Sequence, residues 1–114
     1  MIGTPVLKVP TLEIAYEAAF ELAIALRPVI DELSARDAAL AERLQCAVTG
    51  ALVNLALAHR PHERAKYNAV ETARTEAGEV LVHLDAAHAI GWLDNAISVR
   101  ETCERLVRLC WKLG

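Results

Sequence analysis

The feature that most constrains this chain is a recurrence of apolar residues at steps of three and four, carried almost from end to end. Ile14, Ala18, Leu22, Ala25, Val29 and Leu33 form one series. Leu40, Leu44, Ala47, Ala51, then Asn54 or Leu55, and Ala58 form a second. Val70, Ala73, Ala77, Val80 or Leu81, Leu84 and Ala87 form a third, and Ala96, Val99, Cys103, Leu106, Cys110 and Leu113 a fourth. An α-helix turns once every 3.6 residues, so each series lines one helix face that must be buried. Little in the sequence interrupts such helices: 114 residues contain five Gly and four Pro. Alanine (21 residues) and leucine (16) are the commonest residues and both are strong helix formers. An all-β domain would need more β-branched and aromatic residues than a chain with 4% aromatics offers. The 54% apolar share excludes a disordered chain.

The breaks sort the series into four helices, at about 12–33, 38–59, 62–89 and 95–113. Residues 1–10 read as a short extended arm, because Pro5 and Pro10 oppose a helix there. Thr11 reads as the first N-cap, with Glu13 in the first turn. Pro28 lies inside the first series and predicts a kink or an early stop. Asp37 or Ser34 caps the second helix, Pro61 marks the next break, and Gly91 ends the third helix as a left-handed C-cap. Asp94 reads as the cap of the fourth. Short connections between four helices imply an all-α, antiparallel up-down-up-down four-helix bundle, a single domain over residues 1–114. Leu52, Val53 and Leu57 lie off the buried face of the second helix, making it apolar nearly all round. A four-helix domain does not easily cover such a helix alone, so subunit association is expected.

Twelve Lys and Arg against fifteen Asp and Glu give a net charge of −3. Dedicated nucleic-acid-binding domains are usually basic, so the whole-chain balance counts against that role. Residues 59–114 nevertheless hold eight bases, which leaves room for a local basic patch. Three cysteines, Cys46, Cys103 and Cys110, with no CxxC pair, fit buried free thiols in a reducing cytoplasm. No signal peptide is evident, and no uncharged run reaches the length of a membrane span.

The charge is arranged in stripes. Glu13, Glu17 and Glu21 recur at i, i+4 and i+8 on the first helix; Arg105, Arg108 and Lys112 form a basic stripe on the fourth. His59, Arg60, His62, Arg64 and Lys66 cluster around the second break. Solvated helix faces account for such stripes without further function. The sharper readings are two. Glu13, Glu17 and Glu21 of one subunit pair with Arg105 and Arg108 of its neighbour in a head-to-tail ring. Alternatively Arg60, His62, Arg64, Lys66, Arg105, Arg108 and Lys112 contact nucleic-acid phosphates. Gly50 and Gly78, inside helices, read as marks of close helix contacts.

Catalytic signals are sparse. Pro61 separates His59 from His62, which opposes a shared metal. Glu79 and His83 stand at i and i+4 with Asp85 nearby, which suits a capping or salt-linked pair and, less directly, a metal or acid–base site. His88 reads as a partner of helix-end carbonyls. No nucleophile elbow or phosphate-cradling Gly-rich loop occurs. The most informative polar residue is Asn54, set in Leu-Val-Asn-Leu-Ala on an apolar helix. A buried Asn needs its amide satisfied and can fix register, and a hydrogen bond to Glu79 on the next helix would satisfy it.

Leu40, Leu44, Ala47, Asn54, Leu55 and Ala56 also fall in the register of a known second-helix pattern. That pattern is a Leu-led run ending in two alanines and then Asn-Ile-Ala-Glu-Gly. Glu79 stands ahead of Ile90-Gly91-Trp92-Leu93 as the same pattern places a Glu ahead of Leu-Gly-Tyr-Leu. On these residues the chain resembles, over roughly residues 7–113, the four-helix bundle proteins encoded by ribosomal-RNA intervening sequences. Related to that family are the accessory proteins of diversity-generating retroelements. Leu57 and Ala58 stand where the family carries Glu-Gly. The resemblance implies a left-handed bundle that often assembles as a homopentamer, with no catalytic activity established for the class. For the retroelement branch it implies binding of nucleic acid and a reverse transcriptase through basic surfaces. The expectation is therefore a non-catalytic, cofactor-free homo-oligomeric scaffold or adaptor, pentameric by preference, with a protein partner. The alternative is an accessory protein that binds RNA or DNA.

Overall fold

A computed structural model describes residues 3–59, 63–94 and 96–113, with the backbone alone for 3–10. Those residues form α1 (Gly3–Ala25), α2 (Arg27–Ser34), α3 (Ala38–Leu57), α4 (Glu63–Ile90) and α5 (Ile97–Leu113). Among them there is no strand, so the all-α expectation holds.

The extended arm is not found: the backbone is already helical at Gly3. Pro5 falls in the first turn, where N–H groups have no intrahelical acceptor, so its missing donor costs little. Pro10 forgoes one bond, to the carbonyl of residue 6, and the 23-residue helix runs on through it. Thr11 consequently sits inside α1 rather than capping it.

Pro28 divides the first apolar series into α1 and α2. It stands in the first turn of α2, and its absent N–H removes the bond that would reach Ile24. The division is a local one. Leu26 keeps right-handed helical angles (φ −79, ψ −12), donates to Leu22 O at 2.9 Å and accepts from Ile30 N at 2.8 Å.

Asp37, not Ser34, caps α3: its carboxylate accepts from the backbone N–H of Ala39 and Leu40 at 3.0 and 3.1 Å. At the end of α4, Gly91 takes φ +91. Gly91 N donates to His88 O at 3.0 Å and Trp92 N to Ala87 O at 2.9 Å, the paired bonds of a Schellman stop. The carbonyl of Ala96 opens the ladder of α5 by accepting from Arg100 N, so Asp94 lies outside the first turn.

Packing follows chain order. α1 and α2 lie on α3, α3 on α4, α4 on α5, and α5 returns to α1, in a body of 53 × 22 × 19 Å. The seams are lined by alanine: Ala15, Ala18, Ala19, Ala47, Ala51, Ala73, Ala77 and Ala87 are buried. Small side chains let the helices approach closely. Cys103 Sγ on α5 comes within 3.7 Å of Ala77 O on α4. Leu22, Leu26, Leu33, Leu44, Leu55, Leu84 and Leu106 fill the space between the seams, each removed from water completely or nearly so. Burial of one such leucine is worth about 1.5–3 kcal/mol. Among the described residues no polar or charged residue is buried.

Candidate functional site

Among the described residues no polar or charged residue is fully buried, and the polar side chains fall into three groups.

The first is the seam between α3 and α4. Gly50 sits opposite Glu76, close enough that an added Cβ would stand 2.5 Å from Glu76 Oε1. Glu76 is thereby half-buried against α3, and burial, with a hydrogen bond and repulsion from Glu79, raises its carboxyl above the usual range. Asn54 Nδ2 donates to Gly50 O on its own helix at 2.8 Å. It lines a shallow groove with Leu57, Ala65, Asn68, Ala69 and Thr72. The expected Asn54–Glu79 pair does not form. Contacts descend along α4 as they ascend α3, which sets Asn54 beside the stretch 65–72. Glu79 lies seven residues beyond Thr72, about 10 Å along the helix. Gly78, unlike Gly50, has nothing within 4 Å of an added Cβ, so it marks no close contact.

The second group is the histidines and their neighbours. His83 Nδ1 lies 2.6 Å from the backbone carbonyl of Glu79, not its carboxylate. His59 bonds Leu55 O and meets the Tyr16 ring edge-on at 6.1 Å; His88 reaches Leu93 O at 3.1 Å. Three histidines thus serve helix ends and turns of backbone. His62 lies outside the described residues. Among the described residues no group of three or more His, Cys, Asp or Glu is placed to hold a metal ion. Asp85 is held below the usual carboxylate range by its bond to Arg100, Nε to Oδ1 at 2.7 Å. Arg100 also reaches Glu104 at 2.8 Å, in an exposed network that links α4 to α5.

The third group is the charge stripes and the apolar side chains beside them. Glu13, Glu17 and Glu21 are all exposed, as are Arg105, Arg108 and Lys112. None of the six makes an ion pair with a described residue. In the cluster around the second break, Arg64 is exposed, Lys66 is half-buried and Arg60 lies outside the described residues. On the outer side of α1, Phe20 and Ile24 stand among the glutamates, and Tyr16 packs between Phe20 and His59. Val53 and Leu57 are 48% and 39% exposed on α3. On α5, Ile97 and Trp111 are more exposed still, with the Arg74 guanidinium 4.3 Å from the Trp111 ring centroid. Phe20, Ile24, Ile97 and Trp111 went unmarked in the sequence. Their signal is that each lies off the buried series of its own helix.

The thiols divide by burial. Cys46 is exposed, whereas burial pushes Cys103 up to about 12 and Cys110 up to about 11. Among the described residues no helix is long and apolar enough to cross a membrane. Comparison of the chain with protein-family models, curated proteins and solved structures found no match.

Proposed function

We propose that this chain is a non-catalytic, cytoplasmic, homo-oligomeric scaffold or adaptor, built as an antiparallel up-down-up-down four-helix bundle and favouring a homopentamer. The carrying observation is the outer strip of α3, where Val53 and Leu57 face solvent beside the groove of small side chains on α4. The inner face of α3 is already covered by α1, α2 and α4. Exposed apolar side chains along one strip mark an association surface. Alternating helix direction is supported by three cross-helix pairs: Tyr16 with His59, Gly50 with Glu76, and Arg74 with Trp111. The number five comes from the family resemblance alone.

Light scattering on a size-exclusion column, read at 260 and 280 nm, tests the reading. A protein-only peak at several 12.4 kDa subunit masses is expected, five being favoured. Leu57→Lys should shift it toward the monomer. A wild-type monomer at micromolar concentration overturns the proposal.

Nucleic-acid binding is the second reading, favoured by the exposure of Arg105, Arg108 and Lys112 and by their making no ion pair with a described residue. It predicts excess absorbance at 260 nm. Binding should fall steeply with salt and weaken when Arg60, Arg64 and Lys66 are neutralised.

A further inference from the structure

We propose that the outer face of α1 docks against the outer face of α5 in a second copy of this chain. The inference rests on the homo-oligomeric reading above and adds to its α3 strip a second contact, both being required for the assembly.

Each face has the same plan with opposite sign. On α1, Phe20 and Ile24 are 51% and 49% exposed, and Glu13, Glu17 and Glu21 share their side of the helix. On α5, Ile97 and Trp111 are 68% and 64% exposed; Arg105, Arg108 and Lys112 lie alongside with one exposed carboxylate, Glu101, so the face is net basic. At 1.5 Å rise per residue the acidic stripe spans about 12 Å and the basic stripe about 10 Å, so the two can lie side by side. The inner faces of α1 and α5 already pack on each other within the chain, and the outer charges make no ion pair with any described residue. The charges are therefore available to a neighbour.

The chemistry selects which faces meet. Two α1 faces would set three carboxylates against three carboxylates, and two α5 faces would bring together two faces that each carry three cations and one carboxylate. Only α1 against α5 brings opposite charges together while covering all four apolar side chains. Such a contact joins unlike surfaces, so it repeats head to tail, in a ring where the rotation between subunits closes and in an open filament where it does not. The charges supply orientation and partner choice; Phe20, Ile24, Ile97 and Trp111 supply the area removed from water.

Charge reversal separates this from other modes of assembly. Three variants are compared with wild type by light scattering, with circular dichroism to confirm that each stays helical. The first is Glu13→Arg, Glu17→Arg, Glu21→Arg, the second is Arg105→Glu, Arg108→Glu, Lys112→Glu, and the third carries all six changes. Wild type should be oligomeric, each half-reversed variant monomeric, and the six-fold variant oligomeric again because its faces are complementary once more. Half-reversed variants that keep the wild-type mass overturn the α1–α5 contact and leave the oligomeric reading standing. So does a helical six-fold variant that stays monomeric. Loss of bound nucleic acid from the second variant at unchanged protein mass also overturns it, and identifies nucleic acid as the occupant of the α5 face. A wild-type monomer overturns both readings together.

Discussion

Gly50→Ala is the substitution whose outcome depends most directly on the α3–α4 seam. Gly50 lies within α3, where glycine costs roughly 0.8–1 kcal/mol relative to alanine. Against that gain stands the Glu76 side chain, whose Oε1, Cδ and Cγ would lie 2.5, 3.0 and 3.1 Å from the new Cβ. All three atoms belong to a flexible side chain at the edge of the bundle, so a rotamer change moves them into solvent. An off-rotamer compromise costs on the order of 0.5–1.5 kcal/mol, whereas a full swing outward costs less. The expected result at pH 7 is a gain of up to ~1 kcal/mol, a rise of a few degrees in Tm. The pH dependence carries a second signature. The folded Glu76 carboxyl sits above its ordinary value of 4.5, so the native state holds that proton more tightly than the unfolded chain. Its contribution is full below 4.5 and is lost as pH rises through the raised folded value. Once alanine has expelled the carboxylate, that loss disappears, and the advantage of Gly50→Ala grows as pH rises through this window. Thermal melts followed at 222 nm from pH 4 to 8, at one protein concentration, read both effects. A loss of more than ~1 kcal/mol at every pH would refute the reasoning, because it would mean that Glu76 is locked in the seam.

Two further predictions follow from local geometry. Gly91→Ala places a Cβ on a residue at φ +91 and should cost roughly 1–2 kcal/mol by chemical denaturation; no loss would mean that the Schellman stop is dispensable. In native protein at pH 8, a thiol reagent should modify exposed Cys46, while Cys103 and Cys110 react only after denaturation, because burial keeps them protonated. Rapid native labelling of all three would place the α5 thiols in solvent.

Much of the local structure is legible from single residues. Asp37 has the acceptor that two free N–H groups require, and Gly91 is the residue that tolerates a left-handed stop, so α3 begins and α4 ends where the chemistry says they should. Pro28 interrupts the ladder at the point dictated by its missing N–H. The same rule applied to Pro5 and Pro10 misleads. It describes a helix interior, and whether a proline is interior depends on where the helix begins, which Pro5 does not reveal. The candidate site is less legible. Glu13, Glu17 and Glu21 can be assigned one outward face from spacing alone, as can Arg105, Arg108 and Lys112. That they stay free of ion pairs with the described residues cannot be read this way, because it depends on which helices become neighbours.

The sequence by itself determined that the chain is helical, where most helices stop, and which face of each is apolar. These are consequences of backbone chemistry and of a 3.6-residue repeat, both local properties. Tertiary structure alone decided the pairing across the seams. The relative slide of α3 and α4 sets Glu76 against Gly50 and carries Glu79 about two turns away from Asn54. That slide is fixed by how alanines and leucines on two separate helices interlock, and neither helix encodes it alone.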